Sequence, residues 1–242
     1  MQQYFRIGGA AKFLGISADT LRRWDKNNIF KSSKKTASGY RYYSKLDLVN
    51  YLNSLDITKL SFAWAKSKDA TALPQYLYCQ FISDFAARLP RLESTLQKKE
   101  GLKEKFSLIT AIASEIGNNS FDHNLGNWSD IPGIFFGYDI KKRIIVLADR
   151  GQGILKTLKR VRRELKNGSE ALAVAFTEVI SGRSPESRGN GLKYVKKIIT
   201  TNDFKLKFQT GNAVLKLEKG DTNLNILVGK DYIKGCLAVI RF

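Results

Sequence analysis

Between Glu115 and Asn124 the chain reads EIGNNSFDHN, which gathers two carboxylates, three asparagines and the single histidine of the sequence into ten residues. Glu115, Asn119 and Asp122 stand at i, i+4 and i+7, so on a helix they share one face. A carboxylate, an amide and a second carboxylate in line can face water, hold a metal or handle a phosphate. Asn is a poor residue inside a helix, and two adjacent ones are costly unless they are used. A merely solvated face is more cheaply built from Lys, Glu and Gln. Two glycine-rich stretches follow: DRGQGI, from Asp149 to Ile154, and RGNGL, from Arg188 to Leu192. Glycines directly after a strand let backbone N–H groups approach a ligand closely. The carboxylate of Asp149 can accept a hydrogen bond from an exocyclic amine. The second Gly-x-Gly opens a helix whose first-turn amides are orphan donors suited to phosphate. Each motif alone is weak, because Gly-x-Gly at a strand end is usually a turn and Asp before Gly is common turn chemistry.

The elements that must position these groups are legible in the apolar pattern. Ile109, Ile112 and Ile116 form one stripe, which predicts a helix burying that side and turning Glu115, Asn119 and Asp122 elsewhere. GIFFGYDI and RIIVLAD read as two strands joined across Lys141-Lys142, the second delivering Asp149. Upstream, residues 76–98 read as an amphipathic helix with a break near Pro90. Residues 58–75 mix Lys, Ser, Thr and Asp around Phe62 and Trp64 and end near Pro74, the pattern of a linker.

Composition removes several classes. The 242 residues carry 41 basic and 22 acidic side chains, a formal charge of +19, which favours polyanion partners and says nothing of fold. Seven Lys and four Arg against four acids in residues 1–60 put +7 of that charge at the start of the chain. Cys79 and Cys236 are too few for a disulfide framework or a Cys-rich zinc site, and one histidine excludes most zinc or haem arrangements. The sequence shows no membrane span and no signal-peptide core, so a cytoplasmic protein without a membrane partner is expected.

The first sixty residues read differently. Ile7, Ala10, Ala11 and Leu14 recur at helical spacing, Gly15 ends that helix, and Ser17 caps a second one with Asp19 in its first turn. Short helix, glycine turn and basic second helix form the helix-turn-helix pattern, whose second helix enters the major groove. Lys31, Lys34 and Lys35, a Ser38-Gly39 turn and the run Tyr40-Arg41-Tyr42-Tyr43 suit a basic wing laid along phosphates. Ser44 then caps a helix running through Leu46, Val49 and Leu52. IGGAAKFLGISADTLRRW, GYRYYS and KLDLVNYL together resemble the DNA-binding domain of MerR-type regulators over residues 4–55. The resemblance implies double-stranded DNA as partner. It makes Ser17, Thr20, Arg22 and Arg23 candidate contacts at the groove, and Lys34, Lys35, Tyr40, Arg41 and Tyr42 candidates in the wing. Such regulators dimerise through a long helix after this module. No clean heptad run follows here, so a homodimer stays open.

EIGNNSFD, DRGQGI and RGNGL, in that order, resemble the N, G1 and G2 boxes of the Bergerat-fold ATPases, the superfamily of gyrase, the heat-shock chaperone ATPase, sensor histidine kinases and mismatch-repair ATPases. The resemblance covers residues 105–242 and implies ATP or ADP with Mg²⁺. Asp149 would read adenine, Asn119 would hold Mg²⁺ against the phosphates, and Glu115 would be the general base. Gly151, Gly153 and Ile154 would lie against the nucleotide, and Arg188, Gly189, Asn190, Gly191 and Leu192 against the phosphates. Asp122 and His123 complete the candidate binding set, and residues 155–188, with Arg183, would form a lid. KGCLAVIRF resembles the last strand of the family, with Cys236 where Thr is common. Sensor histidine kinases carry their phosphoacceptor on a separate preceding helix that is absent here, so His123 is not assigned that role. Asn119 and His123 instead share the spacing of the anti-sigma-factor serine kinases.

The expected fold is α+β: a winged helix-turn-helix over residues 1–57, a linker over 58–75, and over 76–242 a two-layer α/β-sandwich of Bergerat type with a mixed sheet. The expected function is a DNA-binding transcriptional regulator in which ATP and Mg²⁺ binding or hydrolysis modulates DNA or partner binding. The alternatives are a serine/threonine kinase of the anti-sigma-factor type acting on a protein partner, and a nucleotide sensor that does not hydrolyse.

Overall fold

The computed structural model describes residues 3–70, 73–179 and 190–242. The chain divides into two compact units, Met1–Asp56 with Thr71–Tyr78, and Ile57–Ala70 with Cys79–Phe242.

In the first unit β1 (Tyr4–Arg6), α1 (Ile7–Leu14), α2 (Ala18–Lys26), β2 (Lys34–Lys35), β3 (Arg41–Ser44) and α3 (Lys45–Ser54) follow in order. The helical spacing of α1 buries Ala10, Ala11 and Leu14, and the helix ends at Gly15 in a left-handed turn. Ser17 caps α2 by accepting from the Thr20 N–H at 3.0 Å, and Ser44 caps α3 through the Asp47 N–H at 3.0 Å. Leu21, Tyr43 and Leu48 complete the small core, with Phe30 stacked on Tyr43 at 5.7 Å between ring centroids. The expected α3 helix is present, and of its expected apolar residues Leu52 packs on the core. Leu48 is fully buried while Leu46 is 57% exposed, because the helix meets α1 through the face carrying Leu48, Tyr51 and Leu52. Both β1 and β2 pair antiparallel with β3, so the expected wing is a short ribbon, β2 and β3, on which Lys34 lies opposite Tyr42 and Lys35 opposite Arg41.

The second unit holds α4 (Ile57–Lys66), α5 (Ile82–Gln97), α6 (Phe106–Asn124), β5 (Ile134–Asp139), β6 (Ile144–Asp149), α7 (Gly153–Leu158), α8 (Gly168–Thr177), α9 (Gly191–Thr201), β7 (Lys205–Glu218) and β8 (Asn225–Arg241). With β4 (Tyr78–Cys79) its strands make a five-stranded sheet in the order β4-β5-β6-β8-β7. The pairs β5–β6, β6–β8 and β7–β8 are antiparallel, so the sheet expected to be mixed runs antiparallel at these three joins. Every residue of β6 is buried. A strand covered on both faces requires the continuous apolar run that IIVLAD supplies. Ile145 and Leu147 enter the main core beside Ile112 and Ile116 of α6. Phe135 of β5 meets Trp64 of α4, their rings 6.5 Å apart.

Residues 58–66 of the expected linker belong instead to α4, which buries Ser61, Trp64 and Ala65. Their apolar spacing was helical all along, but a serine in a core slot and flanking lysines hid it. The break expected at Pro90 is absent too, because α5 continues through that residue. A proline in a helix interior costs on the order of 3 kcal/mol, and burying Phe85, Leu92 and Leu96 on the same helix returns roughly 1.5–3 kcal/mol per side chain. The expected helix also starts late, since a 3-10 turn (Gln75–Leu77) and β4 precede it. No helix among the described residues is long and apolar enough to cross a membrane.

Candidate functional site

A cleft opens on the second unit between α6 and the sheet. Ile116, Asn119, Ser120, His123 and Asn124 line it from α6, and Asp149, Phe208 and Cys236 from the strands. Gly153, Ile154, Thr157 and Leu158 of α7, Ala175 of α8, and Gly191 and Leu192 of α9 complete the wall. Apolar walls with a few convergent polar groups are the usual make-up of a small-molecule site.

Among the described residues that line the cleft, Asp149 is the only carboxylate. It ends β6 and is 1% exposed. Its Oδ1 accepts from the Gly151 N–H at 2.9 Å and from Asn124 Nδ2 at 3.3 Å, and its Oδ2 accepts from Ser120 Oγ at 2.9 Å. The Cys236 N–H donates as well. Burial pushes the carboxyl up to about 6, and the donors from Gly151, Ser120, Cys236 and Asn124 hold it from rising further. Four donors saturate a carboxylate, which has about four lone-pair sites. One of them is exchangeable. Ser120 Oγ also lies 3.3 Å from the Ile116 carbonyl, so its one proton can turn there and free Oδ2 for an amine entering the cleft.

Asn124 pins the glycine turn to α6. Its Oδ1 accepts from the Gln152 N–H at 2.9 Å, and its Nδ2 also donates to the Ser120 carbonyl at 2.8 Å. A Cβ on residue 151 would lie 2.0 Å from Asn124 Oδ1, so only glycine fits there. The same holds where α9 starts, since a Cβ on Gly191 would lie 2.4 Å from Glu115 Oε2 and 3.3 Å from Asn119 Nδ2. The missing side chain lets the first turn of α9, whose N–H groups have no partner within the helix, close on those two α6 residues.

The strands supply a further hydroxyl that sequence reading missed. Thr210 of β7 lies opposite Cys236 of β8. Its Oγ1 donates to the Gly235 carbonyl at 3.0 Å and accepts from the Ile154 N–H at 3.1 Å, which fixes the start of α7 on the sheet. Burial and the neighbouring Asp149 charge hold the Cys236 thiol well above the ordinary range, which disfavours the thiolate.

Of the candidate residues, Asn119, His123, Asp149, Gly153, Ile154, Gly191 and Leu192 line one cleft. Glu115 sits against Gly191 rather than on the cleft wall, and Asp122, Gly151 and Asn190 are off the wall as well. Arg183, Arg188 and Gly189 lie outside the described residues. Of the segment 155–188 expected as a lid, residues 180–188 lie outside the described residues, and α8 within it buries Leu172 and Phe176 in the main core. Ser120, Asn124 and Thr210 were not anticipated. The signal for Ser120 and Asn124 was their spacing, i and i+4 on the same helix turn as Asn119 and His123. Among the described residues no three His, Cys, Asp or Glu side chains gather around one point.

Directly after Asp149 comes Arg150, fully buried. Its Nε lies 3.0 Å and its Nη2 2.5 Å from Asp130 Oδ2. Nη1 donates to the Trp64 carbonyl and to Ser67 Oγ, and Nη2 to the Ser67 carbonyl. Burial raises the Asp130 carboxyl, but Arg150, the Ile131 N–H and Lys234 outweigh it and hold the group at about 2. While Asp149 faces the cleft, Arg150 faces away and clamps α4 and the residues after it to the sheet.

In the first unit Thr20 is bonded to Ser17, Oγ to Oγ at 2.9 Å, Arg22 is paired with Asp19, and Arg23 is exposed on α2. Tyr40 is 62% exposed. Lys34 stands over the Tyr4 ring at 4.3 Å. Lys35 and Arg41 turn inward to Asp25, at 3.0 and 2.6 Å, and Tyr42 beside them is half-buried. Burial raises the Asp25 carboxyl, but Arg41, the Ser32 N–H and Lys35 outweigh it and hold it well below the usual range. Arg41 thus fastens the wing to α2. Helix, turn and ribbon are now all placed. Residues 6–43 match the family model of the MerR family regulatory proteins.

The MerR-type match spans α1, α2 and the ribbon as far as Tyr43. No curated protein matches the chain. Among solved structures, the chain is similar to the 43K ATPase domain of Thermus thermophilus gyrase B in complex with an aminocoumarin, at 16% identity and a TM-score of 0.34. That likeness covers 64% of this chain and 40% of the gyrase chain, so this chain spans less than half the length of that relative. Removing the wing anchor of the MerR-type module should be measurable. Asp25→Ala is expected to lower stability by about 1–2 kcal/mol through its lost charged hydrogen bonds, read as a lower thermal midpoint, and to weaken DNA binding although Thr20, Arg22 and Arg23 of α2 are unchanged. An unaltered midpoint would remove Asp25 from that role.

Proposed function

We propose that this protein is a transcriptional regulator that reads duplex DNA with α2 and the β2–β3 ribbon, and binds a purine nucleoside triphosphate with Mg²⁺ in the cleft of its second unit. The observation that carries the nucleotide half is the convergence of Asp149, Asn119 and the first turn of α9 on one cleft. A buried carboxylate accepts the purine amine, and apolar Ile116, Ile154 and Phe208 cover the ring faces. The amides opening α9 receive phosphate oxygens. Mg²⁺, when bound, offsets phosphate charge, and Asn119 is the residue that would hold it. Glu115, against Gly191, is the candidate base that would orient a water toward the phosphates in hydrolysis. The DNA half rests on the MerR-type match, on the capped α2 with exposed Arg23, and on the basic ribbon. Nucleotide binding would bias DNA affinity if both ligands act on one shared equilibrium.

The test is titration calorimetry with ATP and ADP, each with and without Mg²⁺, followed by selection of bound duplexes with and without nucleotide. Absence of nucleotide binding removes the second half of the proposal; selection of no preferred sequence removes the first. The acidity of Asp149 adds a signature. An amine donor needs the ionised carboxylate, so affinity is full above the folded value of about 6 and declines as pH falls through it. Below that value adenosine, which has no phosphate to titrate, should bind about tenfold more weakly per pH unit. Affinity that stays flat down to about pH 5 would detach Asp149 from the purine.

A further inference from the structure

From the last turn of α7 toward α8 the chain carries six cations in eleven residues, Lys156 to Lys166, against the single acid Glu164. Two are occupied, Arg162 by Glu164 and Glu178, and Arg160 by Gln152 Oε1 at 3.1 Å. Lys156, Lys159, Arg163 and Lys166 are exposed and make no ion pair among the described residues. The segment is not a loose tail. Leu158 and Leu165 are buried against Ala171, and Gln152 ties Arg160 to the end of α6 by donating from Nε2 to the His123 carbonyl at 2.8 Å. Four uncompensated like charges are thus held on a fixed surface, where their mutual repulsion is a standing cost. A face that served solubility alone would intersperse acids.

We propose that this basic segment is a second DNA-contacting surface, engaging duplex phosphates independently of base sequence. The choice of duplex DNA rests on the DNA-binding reading of the first unit. A lipid surface fits less well, because α7 has only six residues and Val161 is the one exposed large apolar side chain in the segment. Cations that meet phosphates release counterions, so affinity should follow salt with a slope of about 0.9 per contact.

The experiment uses the full chain and a labelled duplex, with anisotropy read over a salt series for the wild type and for Lys159→Gln/Arg163→Gln/Lys166→Gln. The slope of log affinity against log salt should become shallower by about 2–3. Affinity at low salt should fall at least about tenfold on every sequence, with the thermal midpoint unchanged. An unchanged slope overturns the proposal, as does a loss of binding to phosphatidylserine vesicles with none to duplex. Should the triple variant melt early, Lys159→Gln alone is read by the same criterion, a change of about 0.9. A parallel Arg22→Gln/Arg23→Gln variant separates the two claims. If it leaves sequence preference intact while the triple variant flattens the slope, groove reading by α2 fails and the second surface stands.

Discussion

Replacing Arg150 by Met is expected to cost the second unit about 3–5 kcal/mol, the usual result of removing one member of a buried ion pair. A domain is stable by only about 5–15 kcal/mol in total, so the variant should be close to unfolding at ordinary temperature. The loss has two parts. The Ser67 carbonyl loses the Arg150 donor, and the Trp64 carbonyl is left with Ser67 Oγ at 2.8 Å. Asp130 keeps Lys234 at 3.0 Å and is partly exposed, so its own charge is stranded less severely. Met fills the stem of the arginine without its charge and therefore isolates the electrostatic share from the packing share. Urea denaturation followed by tryptophan fluorescence is a suitable measure, since Trp64 lies under the guanidinium at 5.6 Å. A midpoint within error of wild type would mean that apolar packing alone holds α4 to the sheet.

The second large effect is on binding, and it takes a pair of variants. Asp149→Asn should reduce adenosine affinity by about 10–100-fold, the range of one charged hydrogen bond. An amide in that position presents a donor to the purine amine where the carboxylate presented an acceptor. The fold should survive, because Ser120 can accept from the new amide or donate to the Ile116 carbonyl, while the Gly151 N–H keeps an oxygen partner. Asn119→Ala should leave adenosine affinity almost untouched and weaken Mg²⁺-dependent ATP binding. Equal losses of adenosine and ATP in both variants would mean that the cleft does not divide purine from phosphate recognition. Calorimetry with the two ligands gives all four numbers.

Much of this was readable along the chain because the signals are local. A helix cap needs only its own first turn, so Ser17 and Ser44 announced α2 and α3 without reference to the fold. The apolar run of β6 and the stripe Ile109, Ile112, Ile116 likewise marked their elements. Glu115 and Asn119 shared a helix face by arithmetic alone. Asp25 escaped notice because its partners lie 10 and 16 residues on, at Lys35 and Arg41. Arg150 escaped because an arginine within a glycine motif looks like part of that motif.

The order of the motifs, the two-part organisation and the charge of +19 are properties of the sequence, since spacing and composition survive unfolding. What only the tertiary structure decided is which groups meet. Thr210 reaches the Gly235 carbonyl and the Ile154 amide because β7 pairs with β8 in one register. Glu115 lies against Gly191 because α9 packs with α6. Asp149, the last residue of β6, and Arg150, the residue after it, find their partners on different helices, Ser120 and Asn124 of α6 against the Trp64 carbonyl of α4. Burial then gives them unlike tasks, a carboxyl turned to the cleft and a guanidinium sealed beneath α4.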